Sequence, residues 1–160
     1  MMSDYLRYGL SISRKNGLFL AAFLTVFFLA MRALGLAHEY YLRVFNALIL
    51  ILLIGRGILS YRSKLEDKHY GTFFDLYRIS LRTAFIGVAL FSVFLAIYLD
   101  QIDPAFMQEI QEVESPVPFM SPVMAAGIVF IEGFGSSLIF SYLVIQFLKK
   151  PTVEFNTEKA

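Results

Sequence analysis

Four apolar runs, at about residues 17–36, 42–61, 79–99 and 122–148, take up most of this 160-residue chain. As a helix rising 1.5 Å per residue, each is long enough to cross the ~30 Å hydrocarbon core of a bilayer. The composition points the same way, because 58% hydrophobic against 17% charged residues is too apolar for an ordinary soluble domain. The expected architecture is all-α: one transmembrane domain over residues 1–160, a polytopic membrane protein whose four transmembrane helices form an up-down bundle.

Punctuation between the runs is legible. Residues 1–16 read as an amphipathic lead-in, lying in the headgroup region or frayed, with Arg7, Arg14 and Lys15 among Tyr and Leu. The run from Gly17 to Leu36 imitates a secretory signal, but it is read here as a span. Arg32, near its far end, has a stem long enough to snorkel outward. Tyr40-Tyr41 suits an interfacial belt in a chain with no Trp. Thr72 followed by Asp75 is a helix start signal, and one helix is expected from there to Leu99. Asp103-Pro104 is a cap followed by proline at the first helical position. Phe106, Ile110 and Val113 then share a face, so a short amphipathic interfacial helix is expected over about 103–113. Ser115-Pro116-Val117-Pro118 breaks it, Ser121-Pro122 restarts a helix, and Lys149-Lys150-Pro151 stops the last one before a tail at 151–160.

Lys and Arg set the orientation. Three lie in the lead-in, five between residues 62 and 82, and three after residue 148, against only Arg32 and Arg43 on the other side. The 100–121 connection has no Lys or Arg and five acids. Both termini are therefore expected in the cytoplasm, and four spans satisfy that parity.

The segment from Tyr61-Arg62 through Gly71-Thr72-Phe73, the Asp103-Pro104-Ala105-Phe106 motif, and the stretch from Ser137-Leu138-Ile139 to Phe147-Leu148-Lys149-Lys150 resemble a family of small bacterial four-span membrane proteins, a domain of unknown function. The resemblance implies a multi-pass protein of the bacterial inner (cytoplasmic) membrane. It implies no catalytic residue.

The residue that invites chemistry is Glu132. It stands about ten residues, or ~15 Å, into the last run, near the midplane. A charged carboxylate there costs on the order of 2.5–3.5 kcal/mol on insertion scales, so it is expected to be neutral or paired, with Ser136 one turn on. A relay or a polar pocket shared with Arg56 or Arg32 is one account of it. A structural hydrogen bond between helices, or contact with a partner subunit, is the plainer one, since no second carboxylate lies in any span. Arg56, between Gly55 and Gly57, reads as an arginine that snorkels rather than as an anion site. Small residues recur as ladders suited to close helix packing: Gly17, Ala21 and Thr25; Ser80, Ala84, Ser92 and Ala96; Gly133, Ser137 and Ser141.

With no cysteine, thiolate metal sites and disulfides are excluded. His38 and His69 lie in connections, which disfavours a bis-histidine haem. The acids of the 100–121 connection lack the spacing of a dedicated cation loop. No phosphate loop or nucleophile set is present. No cofactor, no metal, no nucleic acid and no enzymatic activity are expected, and the partners are membrane lipids and other integral membrane subunits. The expected function is a non-catalytic accessory or assembly subunit of a larger inner-membrane complex, packing through its small-residue faces. The alternative is a homo-oligomeric channel or small-solute or proton transporter using Glu132.

Overall fold

The computed structural model describes residues 2–37, 40–63, 72–113 and 120–148. Five helices run in order: α1 Met2–Ala33, α2 Arg43–Arg62, α3 Phe73–Ile97, α4 Pro104–Val113 and α5 Pro122–Leu148. No strand occurs among the described residues. All but α4 are long and apolar enough to cross a membrane.

Local chemistry sets the helix starts. Thr72 and Asp75 form a reciprocal cap: the Thr72 hydroxyl accepts from Asp75 N–H at 3.3 Å, and Thr72 N–H donates to Asp75 Oδ2 at 3.1 Å. Asp103 Oδ1 accepts from Phe106 N–H at 3.1 Å, and Ser121 Oγ from Met124 N–H at 3.2 Å. Before a proline the helical conformation is disfavoured. Asp103 accordingly stands at φ −136°, ending a π turn over Tyr98–Ile102 that carries α3 into the bend.

The lead-in is not a separate element. Residues 2–33 form one helix, and Gly9, Ile12, Ser13 and Asn16 are buried. The reason is a matching surface. Gly9 lies against Ile79 and Tyr61, and Ser13 Oγ stands 2.9 Å from Gly9 O and 3.2 Å from Ile79 O. The segment buries its small residues on the bundle and leaves Arg7, Arg14 and Lys15 exposed.

α3 is the central helix. Half of its most apolar stretch is buried, against 17% for α5 and 22% for α1. α1 and α3 run parallel, since Ser13 meets Ile79, Leu20 meets Gly87 and Phe28 meets Phe91, Phe94 and Tyr98. α2 and α5 run the other way: Gly57 meets Asn16, Gly133 meets Val88, and Arg62 donates to Leu148 O where α2 and α5 end. α1–α3 and α3–α5 are the largest interfaces, and α2 closes against α1, α3 and α5.

Two packed regions result. One holds Leu20, Ile54, Ile58 and Leu76, each at most 1% exposed. The other joins the end of α3 to α4 and the start of α5, through Leu99, Phe106, Met107, Met120 and Ala126.

Candidate ligand cavity

Side-chain size differs along the bundle axis, and a cavity follows from that difference. Where α1 meets the first half of α3, small residues let the backbones approach. A Cβ added to Gly17 would fall 2.8 Å from Ile86 Cβ, and one added to Gly87 would fall 2.5 Å from Leu20 Cδ2. Farther along, Phe28 touches four rings, those of Phe91, Phe94, Tyr98 and Phe106, at centroid distances of 5.2–6.3 Å. Interhelical distance follows the side chains at the contact, so the helices separate toward this end. α2 shows it directly. Its buried residues begin at Leu50, while Val44, Phe45 and Leu48 are exposed.

The space so opened is a cavity of about 520 Å³ bounded by all five helices. Leu24, Leu50 and Val88 line it from α1, α2 and α3, Phe28 and Phe91 stand on its wall, and Phe106 and Ile110 of α4 lie over its outer end. Among the described residues three polar side chains line it: Asn46 from α2 and Glu132 and Ser136 from α5. A mostly apolar cavity of this size with a few convergent polar groups is the usual form of a small-molecule site.

α4 is fastened over that cavity by Arg32. From the last turn of α1, Arg32 Nε donates to Asp103 Oδ2 at 2.8 Å and Nη1 to Glu109 Oε2 at 3.3 Å. Its guanidinium also stacks 4.2 Å above the Phe106 ring. Tyr98 O–H reaches the same Asp103 oxygen at 3.4 Å. The Arg32 bond holds the Asp103 carboxyl below the ordinary carboxylate range, aided by the Phe106 N–H, the Arg32 charge and the Tyr98 hydroxyl, while burial pulls the other way. At the far end of α4, Gln111 Nε2 donates to Met120 O at 2.6 Å. The latch therefore ties α1, α3 and α4 at one corner and α4 to α5 at the other.

The sequence candidates distribute unevenly over this geometry. Glu132 and Ser136, one turn apart on α5, both line the cavity, and Asn46 of α2 lines it as well. Arg56 is not among them; it is exposed, with its guanidinium 5.1 Å from the Phe19 ring. Arg32 is not a lone snorkelling arginine, because the acids across the turn hold it. That pairing left one signal in the sequence: a cation on a side otherwise rich in acids.

The ladder residues lie within the bundle. Gly17 packs on Ile86, with Ala21 and Thr25 half-buried beyond it. Ser80, Ala84 and Ser92 are buried and Ala96 half-buried. Gly133 meets Val88, and Ser137 and Ser141 are fully buried. The surface left for lipid or a neighbour is made of large apolar side chains instead, among them Leu52, Ile131 and Phe147.

Among the described residues no group of three or more His, Asp or Glu is placed to hold a metal ion. His38 and His69 lie outside the described residues. Comparison with protein-family models, with curated proteins and with solved structures found no match. The class of the molecule is accordingly set by its fold: an all-α bundle of four long apolar helices, with a short amphipathic helix latched over one end of an internal cavity.

Proposed function

We propose that this chain is a multi-pass protein of the bacterial inner membrane, with both termini cytoplasmic, and that it acts there as a non-catalytic binding protein. It holds one amphipathic molecule in the cavity on the outer side of the bundle. The observation that carries this reading is the cavity's chemistry: a mostly apolar lining to which, among the described residues, Asn46 of α2 and Glu132 and Ser136 of α5 add polar groups. The membrane setting is supported by four long apolar helices, by outward faces carrying Leu52, Ile131 and Phe147 at 69, 71 and 90% exposure, and by the one-sided placement of Lys and Arg.

A second reading, the accessory subunit of a larger complex, is favoured by α5. Only 17% of its apolar stretch is buried within the chain, which leaves a broad side for a neighbouring helix. Leu20, Ile54, Ile58 and Leu76 fill the bundle below the cavity, so the channel reading would need Glu132 of several copies to line a path between chains.

Native mass spectrometry of the full chain from mild detergent tests the proposal. One small amphiphile per chain is expected, lost in the cavity-filling variant Ala47→Trp and retained in Leu52→Trp on the outer face. A preparation that carries polypeptide partners and no small molecule overturns the binding reading in favour of the subunit.

A further inference from the structure

A second concavity, of about 590 Å³, lies between α1 and α3 with Phe134 of α5 at its far wall. It has nothing in common with the outer cavity in position or lining. Three arginines border it, Arg14 from α1 and Arg78 and Arg82 from α3, and among the described residues no carboxylate does. Arg78 and Arg82 are one helical turn apart and so share a face. Ser13, next to Arg14, sits 3.2 Å from Ile79 O and fixes the register that brings α1's arginine to the same groove. Among the described residues no ion pair engages any of the three. Asp75, the nearest acid on α3, is committed to the Thr72 cap at 2.7 Å from its hydroxyl.

Beside the arginines the groove is apolar along its length. Phe74 and Tyr77 line it before Arg78, and Leu81, Phe85, Ile86 and Phe134 beyond, with Phe85 packed edge-on against Phe134 at 5.7 Å. From Arg78 to Ile86 the wall runs eight residues of α3, ~12 Å along the bundle. Cationic residues bordering an apolar, aromatic groove match a phosphate joined to a hydrocarbon chain. Free phosphate would use only the arginines. The arginines lie toward the end of the bundle that bears most Lys and Arg, which is the leaflet where anionic lipid is expected.

We propose that the groove bordered by Arg14, Arg78 and Arg82 binds one anionic phospholipid of the cytoplasmic leaflet. Its phosphate is held by the guanidinium groups, and one acyl chain lies along Phe85, Ile86 and Phe134. Arginine suits this task because its planar fork meets two phosphate oxygens at once. The proposal rests on the membrane orientation above and not on the occupancy of the outer cavity.

The test is lipid retention by the full chain in bilayer discs of equal phosphatidylglycerol and phosphatidylcholine, read by native mass spectrometry after release. The protein is expected to retain phosphatidylglycerol preferentially, with one tight copy. The triple variant Arg14→Gln, Arg78→Gln, Arg82→Gln is expected to lose affinity on the order of a hundredfold for three cations. A charge-removing control, Arg7→Gln with Lys15→Gln, alters basic residues that do not border the groove and should keep the tight copy. Leu10→Trp, which fills the groove and leaves every arginine in place, should lose the lipid while folding as the parent does. Equal losses in the triple variant and the control overturn the site in favour of general surface charge. Displacement of the lipid by millimolar inorganic phosphate overturns the lipid assignment. Failure of the chain to enter the discs at all overturns the membrane reading itself, and is distinguishable from entry without lipid preference.

Discussion

Removing the carboxylate of Asp103 should loosen α4, and the size of the effect follows from the bonds it makes. Asp103 caps α4 through Phe106 N–H at 3.1 Å and receives Arg32 Nε at 2.8 Å. Loss of an N-cap costs about 1 kcal/mol, and loss of a charge-assisted hydrogen bond about 1.5–3 kcal/mol. The second figure belongs at its lower end here. Both side chains are about a fifth exposed, at 23 and 21%, and Arg32 keeps Glu109 at 3.3 Å and the Phe106 ring, so no charge is stranded. Asp103→Ala should therefore cost roughly 2.5 kcal/mol, which corresponds to about seventyfold more frequent opening of α4. Asp103→Asn keeps a capping oxygen and should cost about half as much. Amide hydrogen exchange in α4 is the assay, with Arg32→Gln completing a double-mutant cycle whose coupling should be about 1 kcal/mol. The reasoning is refuted if the two single changes add with no coupling, or if exchange in α4 is the same in Asp103→Ala as in the parent.

Acid should act on the same latch. Because the folded-state value of Asp103 is depressed, its contribution is fully present above the unfolded carboxylate value of about 3.9 and is lost as pH falls through the lower folded value. After correction for the intrinsic exchange rate, protection in α4 should thus fall below about pH 4 in the parent and fall less in Asp103→Asn. Gly87→Ala should cost about 1–3 kcal/mol by overpacking, since the new methyl would meet Leu20 at 2.5 Å, and Leu20→Ala in the same chain should recover part of it; thermal unfolding in detergent reads both. The buried Thr83 hydroxyl has no hydrogen-bond partner, so the isosteric Thr83→Val should be neutral or stabilising by about 1 kcal/mol. A clear loss of melting temperature in that variant would show that the hydroxyl has a role the geometry does not reveal.

What could be read from the sequence was what is local. The cap pairs Thr72 with Asp75, Asp103 with Pro104, and Ser121 with Pro122 each act within four residues, and the helices start at them. The four apolar helices and the short amphipathic one follow from run length and periodicity in the same way. The Arg32–Asp103 bond joins residues 71 apart, and nothing near Arg32 distinguishes it from an arginine that snorkels. The burial of the lead-in was not legible because its basic residues mark one face as clearly as its Gly9, Ser13 and Asn16 mark the other, and only a neighbour decides which face is buried. The cavity was not legible for a related reason. It depends on the difference in size between facing residues of separate helices, and no single run contains that difference.

That size difference also accounts for α4. Helices drawn together at Gly17 and Gly87 and held apart around Phe28 diverge toward the outer end. A divergent bundle leaves apolar wall, including Phe28 and Phe91, open at that end. Covering it takes an element with one apolar face and one polar face, and α4 is that element: Phe106, Met107 and Ile110 turn inward while Gln108, Gln111 and Glu112 are exposed. The acids on its polar side leave the inward face uncharged and supply the partners for Arg32. Since the same Phe106 ring lines the cavity and lies under the Arg32 guanidinium, access to the chamber and the strength of the latch are coupled. A molecule held inside should therefore slow exchange in α4, and a weakened Asp103 should speed that molecule's release.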